Sequence, residues 1–158
     1  MKVFRIDRRY PGCLFMMTRP RGGEWLTDDA RRLKRLGIDR VVSLLESNEI
    51  QELSLTEEKT VLHRHAVSFT QFPIRDRSVP DNPIEFRQLI DLLIDELKSN
   101  RTIAIHCRMG IGRTALVCAA VLLGLGEARN TVFQELSRVR GFQVPDTSEQ
   151  ESWVLERF

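Results

Sequence analysis

The feature that most constrains this chain is a strand, a glycine turn and an apolar helix that follow one another without interruption across residues 102–123. Thr102-Ile103-Ala104-Ile105 is short and partly β-branched, which suits a central parallel strand. Gly110 and Gly112 permit tight curvature after it, and the apolar run that follows predicts a buried helix over residues 113–123. Strand, glycine loop and helix in that order present backbone amides to an anion beyond the carboxyl edge of a sheet. The chain should therefore build an α/β fold around an anion site.

The remaining segments alternate in the same manner. Residues 4–18 hold short apolar stretches suited to edge strands, and Arg19-Pro20-Arg21-Gly22-Gly23 reads as a loop. Thr27-Asp28-Asp29 offers a cap and first-turn carboxylates to a helix carrying Ala30, Leu33 and Leu36, with Gly37 as its stop. A buried strand is predicted over residues 40–45, a helix entering at Leu55-Thr56-Glu57-Glu58, and a return strand over residues 69–74. Pro83–Lys98 is apolar around more than half its circumference and predicts a broadly packed helix. Another helix should start near Ala128 or Asn130, and a last one at Thr147, where Thr147-Ser148-Glu149-Gln150 has capping-box spacing and Trp153 and Leu155 turn toward the body. No repeat or polar linker divides the 158 residues, so residues 1–158 are expected to form a single domain with a central, mainly parallel sheet flanked by helices.

Charge and cysteine content narrow the function classes. A formal charge of +2 is too small to argue for nucleic-acid binding, so any anion site must be local. The longest apolar runs, such as ALVCAAVLLGLG, fall short of a bilayer span, and no basic leader with an apolar stretch opens the sequence; no membrane insertion is expected. Cys13, Cys107 and Cys118 are an odd, sparse set without metal-type CxxC spacing, which argues against a disulfide scaffold or structural zinc and for a reducing, cytoplasmic setting.

The chemistry concentrates in Ile105-His106-Cys107-Arg108-Met109-Gly110-Ile111-Gly112-Arg113-Thr114. Cys107 precedes Arg113 by six positions, so a chain curled over a helix start can aim its amides at one centre while the guanidinium closes the ring. That is a cradle for a tetrahedral dianion. The same amides, helix terminus and guanidinium favour the thiolate of Cys107 over its thiol. Neither the Gly-Lys-Ser or Gly-Lys-Thr of an ATPase phosphate loop nor GxGxxG is present, so acting on phosphate fits better than holding a nucleotide.

HCRMGIGRT resembles the signature of the cysteine-dependent protein phosphatases: His-Cys, five residues, Arg, then Ser or Thr. The short chain is most similar to the compact dual-specificity group, from about Gly12 onward. The resemblance implies a dual-specificity-phosphatase-like fold, no cofactor and no metal. It also implies a phosphate loop of Arg108, Met109, Gly110, Ile111, Gly112 and Arg113, with Cys107 as nucleophile. A carboxylate some distance upstream acts as general acid in this family, and Asp76, 31 positions before Cys107, fits that place. Asp81 is the second candidate, better explained as a cap ahead of Asn82-Pro83. By the same resemblance Thr114 would bond the Cys107 sulfur, although a helix-terminus hydroxyl bonding backbone explains it equally. His106 would organise the loop and tune the thiolate rather than donate a proton. Ala115 and Met109 depart from the usual small residues, which bears on packing and pocket size. Gln150 loosely resembles a water-positioning glutamine of longer relatives, but its capping-box role is the plainer reading.

Arg75, Arg77 and Arg108, with Arg19 or Arg21 in addition, could form a basic rim that steers an anionic substrate. Tyr10 is the only tyrosine and no Asn-Arg-Tyr recognition element occurs, which resembles the shallower dual-specificity pocket. The expected activity is hydrolysis of phosphotyrosine with some phosphoserine and phosphothreonine in proteins or peptides, through phosphocysteine, by a monomer. A phosphoinositide or small anionic phosphoester phosphatase, or a noncatalytic phosphopeptide-binding module, are the alternatives; a rhodanese or arsenate reductase fits less well. His63 and His65 lack a matching ligand motif. Cys118 reads as a core residue, or as a resolving thiol if oxidation draws the loop toward it.

Overall fold

The computed structural model describes residues 1–6 and 10–158. Its sheet contains β1 (Val3–Ile6), β2 (Cys13–Thr18), β3 (Arg40–Ser43), β4 (Ser68–Gln71) and β5 (Thr102–Cys107), ordered β1-β2-β5-β3-β4. Only β1 runs antiparallel, against β2; the other neighbours are parallel. Their registers bring Thr18 level with Cys107, Ser43 level with His106 and Gln71 level with Ser43, so four strands end at one edge and release their loops there. Convergence of those loops is what makes a site possible at that edge.

Side-chain alternation along β5 divides the molecule into two layers. Ile103, Ile105 and Cys107 join the larger core, packed under α4 (Pro83–Lys98), α5 (Gly112–Gly124), α6 (Val132–Arg140) and α7 (Ser148–Arg157). Ala104 faces the other way, into the cluster formed with α1 (Leu26–Arg35) and α3 (Glu58–Arg64) through Ala30, Leu33 and Leu62. Helix α5 is buried from Gly112 through Leu123, which fixes its N-terminus rigidly at the end of β5. Among the described residues no helix is long and apolar enough to cross a membrane.

Several local expectations are corrected. Strand β2 is interior rather than an edge, because β1 covers it and β5 takes its other side. A 3-10 turn at Gly23–Trp25 feeds α1 directly, so Thr27 does not cap it, and Asp29 is buried as the acceptor of Arg21 instead. The short helix α2 (Ser47–Glu52), unanticipated, lies between β3 and α3; one turn and a half with a single aliphatic side chain, Ile50, carries no readable period. Strands β3 and β4 stop at Ser43 and Gln71, short of the expected 45 and 74, since the chain turns off the sheet into the site. Helix α4 is capped by Asn82, whose side chain accepts from the amides of Ile84 and Glu85, and not by Asp81. Helix α6 begins at Val132, later than expected.

Candidate active site

Strand alternation sends Cys107 and His106 to opposite faces of the sheet. Cys107 ends β5 on the α5 side, whereas His106 is wholly buried on the α3 side, where Nε2 lies 2.9 Å from the Glu58 carboxylate and Nδ1 3.3 Å from the Cys107 carbonyl. A buried carboxylate needs such a partner, and the pair fixes the imidazole and the peptide bond on which the nucleophile's backbone depends. His106 is thereby a structural pivot under the loop and does not face the cavity that Cys107 lines.

Arg113 lies in the first turn of α5, buried, and its two terminal nitrogens donate to acceptors from three other segments. Nη1 and Nη2 donate to the two Glu49 oxygens at 2.7 and 2.8 Å, Nη1 also donates to the Ile74 carbonyl at 3.0 Å, and Nη2 lies 3.0 Å from Asp76 Oδ1. Burial alone would lower the Arg113 pKa, but the Glu49 bonds, with Cys107 and Asp76 nearby, raise it above its ordinary value. Burial likewise pushes the Glu49 carboxyl up, and its bonds to Arg113 and to the Glu46 amide override this and hold it below the ordinary glutamate value. Glu49 is doubly used: the oxygen that receives Arg113 also receives the Glu46 amide at 3.0 Å, closing the capping box of α2.

The intervening loop is pressed against its neighbours. Gly110 has φ +67, and a Cβ there would sit 2.3 Å from the Met17 carbonyl oxygen; at Gly112 it would meet Asp146 Oδ2 at 2.2 Å. Only glycine fits the first place, where the left-handed backbone and the Met17 carbonyl both exclude a side chain; at the second, the Asp146 and Gln150 side chains would have to give way. From α6, Arg140 donates to the carbonyls of Gly110 and Met109 at 2.9 and 3.0 Å, so that loop carbonyls, which repel anions, are engaged by a cation. Thr114 Oγ1 is buried without a hydrogen-bond partner, bonding neither a backbone group, as the helix-terminus alternative required, nor the Cys107 sulfur. Gln150 is also placed differently from its capping-box expectation. Thr147 does cap α7, but the Gln150 side chain reaches out of it: Nε2 donates to the Ser78 carbonyl at 3.0 Å, and Oε1, buried without a partner, abuts Gly112.

Asp76 reaches the site from an exposed turn between β4 and α4, with its amide donating to Glu46 Oε2 at 3.3 Å. Together Asp76, Cys107 and Arg113 line a cavity of about 200 Å³, joined by Arg77 and Asp146 and walled by Arg108, Met109, Ile111 and Gly112. Asp81 is turned away, exposed and 3.5 Å from Arg75, which removes both from this cavity. Arg108 pairs with Glu52 and Arg21 with Asp29, so much of the anticipated basic rim is already neutralised. Burial pushes the Cys118 thiol far up, and Cys107 adds to the effect; it is a core residue. His63 and His65 belong to no group of three ligating side chains among the described residues.

Glu49, Glu58, Arg140 and Asp146 were not anticipated. Glu46 and Glu49 do stand at capping-box spacing, a signal for α2 and so for Glu49; nothing local marks the other three.

A thiol and a guanidinium on a strand-loop-helix, with a carboxylate closing on them, define a cysteine-dependent phosphatase of the dual-specificity and tyrosine-phosphatase superfamily. Residues 15–127 match the family described as polymorphic toxin system, DSP-PTPase phosphatase, and the chain belongs to it. It is 28% identical over 148 residues to cyclin-dependent kinase inhibitor 3 of Rattus norvegicus, covering 92% of this chain and 68% of that protein. The fold is shared with kinase associated phosphatase (TM-score 0.83, 21% identity, 90% of this chain and 83% of that one). It is shared too with Tk-PTP in the active form (TM-score 0.74, 24% identity, 99% and 97%).

Proposed function

We propose that this phosphatase hydrolyses phosphotyrosine, and phosphoserine or phosphothreonine to a lesser degree, in protein or peptide substrates. The observation that carries the reading is the shared cavity of Cys107, Arg113 and Asp76, with the carboxylate and guanidinium 3.0 Å apart. In the first step the Cys107 thiolate attacks phosphorus, the bond to the leaving oxygen breaks, and Asp76 in its acid form protonates that oxygen. In the second, water attacks phosphorus, gives its proton to the Asp76 carboxylate, and the P–S bond breaks to return the thiolate. Arg113 and the amides of residues 108–113 hold the equatorial oxygens through both steps. The buried Thr114 hydroxyl is the candidate donor to the departing sulfur.

Breadth of substrate is supported by the cavity walls, which contain no aromatic side chain; Tyr10 bonds Glu127 Oε1 at 2.8 Å instead. Protein substrates are supported by the likeness to protein phosphatases of this superfamily, and three free thiols support a reducing, cytoplasmic setting. The reading includes a monomer with one catalytic domain over residues 1–158. A panel of phosphotyrosine and phosphothreonine peptides, inositol phosphates and nucleotides, assayed with EDTA and with Cys107→Ser as control, tests the reading. Peptide turnover that persists in EDTA and vanishes in the control is expected; turnover by the control, or of inositol phosphates alone, would contradict it.

A further inference from the structure

The turn that carries Asp76 is strained and is held from outside. It spans residues 75–78 and is closed by the Ser78 amide, which donates to the Arg75 carbonyl at 3.1 Å. Its third residue, Arg77, has φ +57, a left-handed backbone that favours glycine or asparagine. A long side chain in that conformation costs free energy, and such a turn persists only where its surroundings fix it.

The hold comes from α7. Gln150 is wholly buried, its backbone N–H donates to Thr147 Oγ1 at 3.2 Å, and its side-chain Nε2 donates to the Ser78 carbonyl at 3.0 Å. Trp153 and Val154 root the same helix in the larger core, so this donor sits on a rigid element. The other end of the carboxamide, Oε1, faces Gly112, where a Cβ would approach it to 2.9 Å. One side chain therefore spans from the acid turn to the phosphate loop. The remaining ties of Asp76 fare differently when substrate arrives. Its carboxylate lies 3.0 Å from Arg113 Nη2, and a phosphate dianion that takes the guanidinium breaks that pair. Its amide bond to Glu46 is longer, at 3.3 Å. The Ser78 anchor, two residues beyond the acid, is untouched by the exchange.

We propose that Gln150 is a positioning residue for the general acid: by holding the Ser78 carbonyl it keeps Asp76 over the leaving oxygen once phosphate has taken Arg113. This rests on the reading of Asp76 as the acid. Gln150 touches no reacting atom in this role. Its donor fixes one end of the strained turn, and the carboxylate swings about that fixed end between Arg113 and the leaving oxygen. A displacement of about 1 Å is enough to cost an acid much of its effect, which is why a bond two residues away matters.

The test is a double-mutant cycle read on two substrates. Gln150→Met keeps the length of the side chain and removes the donor; Gln150→Leu is carried in parallel, and thermal unfolding identifies a variant that fails to fold. kcat/KM reports the steps up to phosphocysteine, and it should fall roughly ten-fold on an alkyl phosphoester and far less on p-nitrophenyl phosphate, whose leaving oxygen needs no proton. With Asp76→Asn already in place, Gln150→Met should cause no further loss on the alkyl ester, a non-additivity that general loosening of the fold does not produce. Equal losses on both substrates, or losses that add to those of Asp76→Asn, overturn the role. A loss confined to kcat, with phosphoryl groups accumulating on Cys107, would place Gln150 at the water of the second step and likewise overturns it. Asp76→Asn alone judges the acid separately: without leaving-group dependence in that variant the reading of Asp76 falls, whereas additive losses beside a normal Asp76→Asn result reject Gln150 only.

Discussion

The two loops that meet at the cavity are held in opposite ways. Residues 107–113 bridge β5 and α5, and Arg113 is 1% exposed, gripped by Glu49 and by the Leu44 and Ile74 carbonyls, while Arg140 fastens the loop from α6. Asp76, by contrast, has a side chain 60% exposed and is tethered by one ion pair to Arg113 and one hydrogen bond from its backbone amide to the Glu46 carboxylate. Donors that stabilise a transition state gain most when nothing reorganises, which a buried, hydrogen-bonded frame provides. An acid must instead give way to the substrate and return to its leaving oxygen, and an exposed ion pair lets the incoming phosphate take over Arg113. Rigidity and mobility of function are thus divided between a packed loop and a lightly held one.

Substitutions should separate the two. Asp76→Asn removes the acid without disturbing the buried frame, so kcat on an alkyl phosphoester should fall roughly 10²–10⁴-fold with little change in Tm. The loss should be much smaller on p-nitrophenyl phosphate, whose leaving group needs no proton; equal losses on both would break the distinction. Glu49→Ala strikes the frame, leaving Arg113 buried without its carboxylate, and should cost about 3–5 kcal/mol of stability, read by urea unfolding, together with activity. Arg140→Met frees two loop carbonyls at a more accessible position and should cost about 1–2 kcal/mol, with KM for phosphoester raised more than kcat is lowered. An unchanged KM would show that Arg140 does not shape the cradle.

Acid provides the mildest probe. The Glu49 and Asp29 carboxyls are driven up by burial and held down, on balance, by Arg113 and Arg21, so each titrates below its ordinary value of 4.5 or 3.8 in the folded chain. Their contribution to stability is complete above those ordinary values and disappears as pH falls through the lower, folded ones. The unfolding free energy of the wild-type chain should therefore decline on acidification below about pH 5, and Glu49→Gln should flatten that decline. Parallel curves for the two proteins would refute this assignment.

What the sequence made legible follows the same division. The cradle is contiguous from Cys107 to Thr114, and its strand, glycines and apolar helix each leave a local pattern, so loop and central strand were readable. The partners that fix it were not. Glu58 stands 48 residues from His106 and Glu49 stands 64 from Arg113, and the contacts exist only because α3 lies beneath the sheet and α2 beside its carboxyl edge. Gln150 shows the intermediate case: its spacing from Thr147 predicts a capping box, yet tertiary contact with Ser78 and Gly112 claims the side chain. Local pattern reports what a segment is, while its partner across the fold depends on topology that no short window contains.

Rapid acid quench during turnover of p-nitrophenyl phosphate, followed by peptide mass spectrometry, tests the account at its centre. A good leaving group makes breakdown of the intermediate the slow step, so one phosphoryl group should accumulate on the peptide containing Cys107 and be absent in Cys107→Ser. Steady turnover with no phosphoryl group on Cys107, or with one on another residue, would contradict it.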